Sequence, residues 1–189
     1  MHMQKMRWVF GLVLLLACNS LAFAQTKTEE LKTVAQVLDS AVKGVEGEFV
    51  PAAEAMPEDK YAFAPTGGEF KGVRTFAQQV KHVAAVNYIL GASILVEKPP
   101  VELGGENGPD SVASKADIAK FLKDSFAYLH KAANSVSEKN MTDPIKHPFS
   151  DGKTTRLAMA TLAVGHCFDH YGQMVEYLRM NSIVPPASR

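Results

Sequence analysis

Two histidines four residues apart, His166 and His170, are the residues of this chain best suited to chemistry. Residues at this spacing lie on one face of a helix, about one turn apart, so both imidazoles can reach the same divalent cation. A third ligand is still needed. The best candidate is His82, which lies among valines and alanines in a separate apolar segment. If the three converge, the sequence predicts a metal site with open coordination positions, the kind that supports catalysis.

The same histidines have a structural explanation, which the sequence leaves open. A buried imidazole can be satisfied by hydrogen bonds from its nitrogens to the backbone or to another histidine. The metal hypothesis rests on the combination of the pair with His82, because helical bundles build metal sites from facing helices. Asp169 and Gln173 stand beside the pair and could fix the ring tautomers from behind. Asp169 could equally be an ordinary residue at the helix edge.

Composition excludes several other functions. Basic and acidic residues number 20 each, and no basic stripe is present, so nucleic-acid binding has no electrostatic support. The sequence offers no Ser/His/Asp triad, no glycine-rich phosphate loop, no Cys-x-x-Cys pair and no well-placed glutamate to act as a general base. A chain of 189 residues with 47% hydrophobic residues is long enough and apolar enough for one folded domain.

The N-terminus is typical of an export signal, predicted to cover residues 1–24 and to leave a mature domain at 25–189. Lys5 and Arg7 precede a short apolar run, and Ala22-Phe-Ala24 is a small-x-small cleavage site before Gln25. The mature protein would then be periplasmic or secreted. Two alternatives remain open: a lipoprotein box that leaves Cys18 lipidated as a membrane anchor, and an uncleaved anchor.

Simple cleavage would leave Cys167 as the one cysteine of the mature chain, so no internal disulfide is expected. Free cysteines are among the most buried residues in proteins. Cys167 is therefore predicted to be a small core residue, with a reactive thiol or a metal ligand as the alternatives.

Four amphipathic helical segments are predicted, and no strand pattern competes with them. The predicted segments are Thr28–Gly47, a helix starting at the Thr75–Gln78 capping box, a helix capped by Ser114, and Thr154–Met180. Pro51 is expected to weaken or kink the continuation of the first helix. The sequence thus predicts an all-α four-helix bundle, although periodicity alone does not fix its topology.

Three segments, taken in order, resemble the DinB-like family of four-helix bundles. They are Met56–Tyr61 with Pro65, Phe76–Ala84 around His82, and Gly165–Gln173 followed by Tyr177–Arg179 and the Pro185-Pro186 pair. The resemblance covers nearly all of the mature chain. It implies an up-down-down-up bundle with long crossover loops, and a divalent metal, often nickel or zinc, held by His82, His166 and His170. It also implies that homodimers are common.

The family includes S-transferases and isomerases that use small cellular thiols, and many members without a known activity. This chain departs from the pattern at Tyr171, where many relatives have a basic residue. Export would also place the protein outside the reducing cytosol, which argues against thiol transfer. We therefore expect an exported metal-binding protein that acts on an unidentified small substrate by metal-dependent hydrolysis or thiol transfer. The alternatives are a non-catalytic, structural or stress-associated metal-binding bundle, and a carrier of an apolar ligand.

Overall fold

Four α-helices form the framework of residues 33–189, the part of the chain that the computed structural model describes. They are α1 (Val34–Ala55), α2 (Phe76–Leu95), α3 (Lys115–Asn134) and α4 (Arg156–Met180). Within these residues, no helix is both long and apolar enough to cross a membrane. The predicted signal segment, its cleavage site and Cys18 lie outside the described residues.

The start of each of the first two helices is set by a capping box. Thr75 accepts a hydrogen bond from the backbone N–H of Gln78, whose side chain accepts one from the backbone N–H of Thr75, so α2 begins where the sequence predicts. Thr33 and Gln36 form the same pair in α1. The first helix therefore begins at Val34, and Thr28, where the sequence predicts its start, lies outside the described residues.

The first helix also runs further than predicted, through Pro51 to Ala55 rather than ending near Gly47. Proline removes one backbone hydrogen bond from the helix. The residues that follow it, Ala52 and Ala53, are fully buried, and their packing outweighs that loss. The C-terminus is also stabilised from α3, because the Lys115 ammonium donates to the last carbonyl oxygens of this helix.

A short antiparallel ribbon, β1 (Pro144–Lys146) with β2 (Lys153–Thr155), lies between α3 and α4. The sequence predicts no strand here, and it places Thr154 and Thr155 in the fourth helix. Strands of three residues are too short to display an alternating apolar and polar pattern, so the sequence does not indicate them. The ribbon carries Phe149 in its connecting turn, and Thr155 at its end caps α4.

Residues that lie close together across each helix pair give the directions of the helices. The pairs are Asp39 with Asn134 and Glu54 with Lys123 between α1 and α3, Asn87 with Ser125 and Gly91 with Tyr128 between α2 and α3, and Gln79 with Gln173 and Asn87 with Cys167 between α2 and α4. Thus α1 and α3 are antiparallel, α2 and α3 parallel, and α2 and α4 antiparallel. The predicted up-down-down-up bundle is confirmed, with the connection from α2 to α3 crossing the length of the bundle.

Cys167 lies fully buried between α2 and α4, as predicted for a core residue. Its thiol donates a hydrogen bond to the side-chain oxygen of Asn87 at 3.3 Å. Burial raises the pKa of the thiol to about 12, which the bond to Asn87 opposes only in part. A thiol that stays protonated and covered is neither a nucleophile nor a ready metal ligand.

Candidate metal centre

The antiparallel packing of α2 and α4 brings the three predicted histidines together. His82 comes from α2, while His166 and His170 come from successive turns of α4. Their ring centroids lie 5.0 Å apart for His82 and His166, 4.7 Å for His82 and His170, and 4.5 Å for His166 and His170. One nitrogen from each ring lies within 4.8 Å of the other two.

Hydrogen bonds to the Nδ1 atoms of His82 and His170 fix which nitrogen of each ring faces the other histidines. The Nδ1 of His82 lies 2.7 Å from the backbone carbonyl oxygen of Glu106, which can only accept, so this nitrogen carries the proton. The Nδ1 of His170 lies 2.7 Å from the side-chain oxygen of Gln79 and donates to it in the same way. The Nε2 atoms of both rings are therefore left with lone pairs.

The third ring, that of His166, has no such partner. Its Nδ1 is buried without a hydrogen bond to any other residue in the range 33–189. Its Nε2 lies 3.1 Å from the Nε2 of His82, the atom that already offers a lone pair. Two imidazole nitrogens held about 2.1 Å from one ion at a tetrahedral angle would lie roughly 3.4 Å apart. The spacing of the rings fits a shared divalent cation, and His82 and His170 direct Nε2 lone pairs toward it.

Burial keeps the three rings neutral. It lowers the pKa of His166 to about 3 and that of His170 to about 4, and it lowers the pKa of His82 against the opposing bond to the Glu106 carbonyl. The mutual repulsion of the histidines adds to the shifts of His166 and His170, and the charge of Arg74 adds to all three. Neutral imidazoles are the form that binds metal, so the ligands need no deprotonation at neutral pH.

A chain of hydrogen bonds through two amides and a carboxylate begins at the Nδ1 atom of His170. Gln79 is only 2% exposed, accepts from His170, and donates to the side-chain oxygen of Gln173 at 2.8 Å. Gln173 in turn donates to the carboxylate of Asp169 at 3.3 Å. The two residues predicted as supports, Asp169 and Gln173, thus lie further along this chain of hydrogen bonds, and the charge of Asp169 also acts on His170 by raising its pKa.

Gln79 is the residue that sequence reasoning missed. A signal was present, since Gln79 lies three residues before His82 and therefore on the same face of α2. A polar amide on that apolar face needs a buried partner. The partner could not be named in advance, because it belongs to α4 and depends on the relative register of the two helices.

Two concave surfaces flank the histidines. The first, called here the apolar cleft, has a volume of about 270 Å³ and is lined by His82, Val86, Leu90, Glu106, Phe149, Leu162 and His166. The second, called here the polar pocket, has a volume of about 420 Å³ and is lined by Gly72, Val73, Arg74, Gln78, Gln79, Asn107 and Gln173. Leu162 lies four residues before His166 on the same face of α4, and it is 41% exposed because it forms a wall of the apolar cleft.

Four helices with three histidines converging between α2 and α4 fit a bundle of the type that can hold a metal ion. The chain belongs to the DinB superfamily, whose model matches residues 41–174 and confirms the predicted resemblance.

Among solved structures, the chain is similar to a DinB-like protein from Bacillus cereus, with a TM-score of 0.63 and 15% sequence identity. The match covers 82% of this chain and 96% of that one. At this identity the likeness shows the fold alone. No curated protein matches the chain.

Proposed function

We propose that this protein binds a divalent metal ion through the Nε2 atoms of His82, His166 and His170 and acts on a small molecule at that ion. The observation that carries the proposal is the convergence of three neutral imidazoles, with nitrogens within 4.8 Å of one another, on the edge of an open cleft. Nickel or zinc suits an all-imidazole set. When bound, the ion would supply a Lewis acid that polarises a substrate and lowers the pKa of a coordinated water or thiol.

The chain's own residues prepare the site for this ion. The Glu106 carbonyl and the Gln79 side chain hold the rings of His82 and His170 with their lone pairs inward. The apolar cleft keeps the approach to His82 and His166 poor in water-binding groups. Both effects favour a small substrate that binds from the cleft side.

The open side of the site supports catalysis over a purely structural role. Structural zinc sites are usually closed by four protein ligands, whereas catalytic sites keep one position free. Among residues 33–189, no fourth His, Cys, Asp or Glu joins the three histidines. The reaction is proposed to be metal-dependent hydrolysis or thiol transfer, between which the site residues do not discriminate.

A second candidate, a non-catalytic bundle, is favoured by one observation. All ligands come from α2 and α4, so a bound ion would also tie this helix pair together. Thermal melting with and without a chelator separates the two functions. A large loss of melting temperature on chelation supports the structural role, and an unchanged fold supports catalysis.

The test of metal binding is metal content by mass spectrometry, together with affinity measured by competition with a chelator. Wild type is expected to hold about one equivalent of zinc or nickel, and each of His82→Ala, His166→Ala and His170→Ala to bind more than ~100-fold more weakly. His130→Ala is the matched control, because His130 lies on α3 and pairs with acidic residues instead. Equal metal in wild type and in the three ligand variants would refute the proposal.

Export and homodimer formation are part of the same proposal. Export is supported by the charge and apolar pattern that precedes Gln25. Intact mass of the protein purified from its host would distinguish cleavage before Gln25 from lipidation at Cys18. The dimer is supported by membership of the family, and light scattering on the purified protein would test it.

A further inference from the structure

Arg74, at the edge of the polar pocket, has no acidic partner among residues 33–189. Its Nε donates to the side-chain oxygen of Asn107 at 3.1 Å. Within residues 33–189, no carboxylate lies within 4.0 Å of its guanidinium, and its terminal amino groups have no hydrogen-bond partner. Arg156 and Arg179, by contrast, each pair with an acid.

The polar pocket adjoins the histidines through two of its walls. Gln79 lines the pocket and holds His170, and Asn107 lines it directly after Glu106, whose carbonyl holds His82. Arg74 is the one cationic side chain that lines the polar pocket, whereas the apolar cleft is lined by His82 and His166 themselves.

An unpaired guanidinium beside a cation-binding site repels the ion that the site is built to hold. Such a charge is offset when an anion binds between the two. A guanidinium presents a planar fork of N–H donors that matches a carboxylate in two parallel hydrogen bonds. The polar pocket holds one cationic side chain and no lysine, which suits a single negative charge better than a phosphate dianion.

We propose that Arg74 anchors a carboxylate group of the substrate, and that the substrate is a small amphipathic carboxylic acid. Its apolar part would occupy the apolar cleft, against Val86, Leu90, Phe149 and Leu162. This inference rests on the proposed function, because it requires the substrate to bind at the three histidines.

The test uses the full-length, zinc-loaded protein and two probes that share a phenyl ring and a four-carbon chain, 4-phenylbutanoate with a charged carboxylate end and 4-phenylbutan-1-ol with an uncharged hydroxyl end. Calorimetry is expected to show that wild type binds the carboxylate at least ~10-fold more tightly than the alcohol. Arg74→Gln is expected to abolish this preference while leaving the affinity for the alcohol unchanged, and Arg74→Lys to retain part of it. Arg179→Gln is the matched control, because Arg179 lines neither concave surface and is expected to behave as wild type.

The zinc content of every sample is measured first, and circular dichroism confirms that each variant is folded. If wild type holds no zinc, the proposed function fails and this inference falls with it. If every variant holds zinc and Arg74→Gln keeps the carboxylate preference, the inference alone is overturned, because the carboxylate then binds the zinc directly. Loss of the preference in both Arg74→Gln and Arg179→Gln would likewise overturn it, since a general charge effect would explain the result.

Discussion

Gln79 offers the sharpest test of how the bundle prepares its metal ligands. The change Gln79→Met keeps the size and burial of the side chain but removes the oxygen that accepts from Nδ1 of His170 at 2.7 Å. Without metal, the His170 ring can move its proton to Nε2 and avoid an unpaired buried N–H. With metal bound, Nε2 must offer its lone pair, so the proton is forced onto Nδ1, where it finds no acceptor.

The substitution therefore raises the free energy of the metal-bound state and not that of the metal-free state. A buried donor left without a partner costs about 1–3 kcal/mol, and every 1.4 kcal/mol or so is a tenfold change in affinity. We expect Gln79→Met to weaken zinc binding about 10- to 100-fold, the range found for partners of metal-bound histidines. Gln79→Glu keeps an acceptor at the same position and strengthens it with a charge, so its affinity should equal or exceed that of wild type.

Competition with a chromophoric chelator at neutral pH measures these affinities, and thermal melting of the metal-free proteins checks their folds. Gln173→Met interrupts the same chain one step further from the histidine, so it should weaken binding by less than about tenfold. Wild-type affinity in Gln79→Met would refute the argument. An equal loss in Gln79→Glu and Gln79→Met would show that the packing of the amide matters, and not its acceptor.

Two further predictions concern stability away from the site. The pKa of His130 is raised, because its hydrogen bonds to two carboxylates outweigh the opposing effect of burial. These ion pairs therefore stabilise the fold fully when the pH is below the unfolded-state pKa of about 6.5. Their contribution is lost as the pH rises through the folded-state pKa of His130. His130→Ala should thus cost roughly 1 kcal/mol in mildly acidic buffer and less at about pH 9, and equal costs by urea unfolding would contradict this. Gly91→Ala should destabilise by about 1–2 kcal/mol, because its Cβ would lie 2.9 Å from the Tyr128 ring. Gly44→Ala is the control, because a Cβ at that position would have no atom within 4 Å. This variant should stabilise the fold by roughly 0.5–1 kcal/mol, and thermal melting of both glycine variants measures the difference.

The features that could be predicted from the sequence are those encoded over short distances along the chain. The capping box at Thr75 and the spacing of His166 and His170 depend only on helix geometry, and both are found as expected. The placement of His82 near the pair needed the further premise that α2 faces α4, which the bundle architecture and the family resemblance supplied.

The features that were missed depend on contacts between distant segments. Pro51 predicts a weakened or kinked continuation of α1 beyond Gly47, but buried packing beyond the proline and a lysine from α3 stabilise the helix as far as Ala55. Leu162 has the periodicity of a core residue, yet it borders the apolar cleft. The roles of Gln79 and Arg74 follow from the positions of α4 and of the connection between α2 and α3, which no local pattern reveals.

The metal centre is thus a consequence of helix register, and Asn87 is the residue that best explains how that register is fixed. It is fully buried in α2, donates to the Ser125 hydroxyl of α3 at 3.3 Å, and accepts from the Cys167 thiol of α4 at 3.3 Å. A slip of one turn between α2 and α4, about 5.4 Å, would leave the side-chain oxygen of Asn87 and the Cys167 thiol, both buried, without each other as partners. The same slip would separate His82 from His166 and His170, so the polar contacts in the core specify the one alignment in which three imidazoles can share an ion.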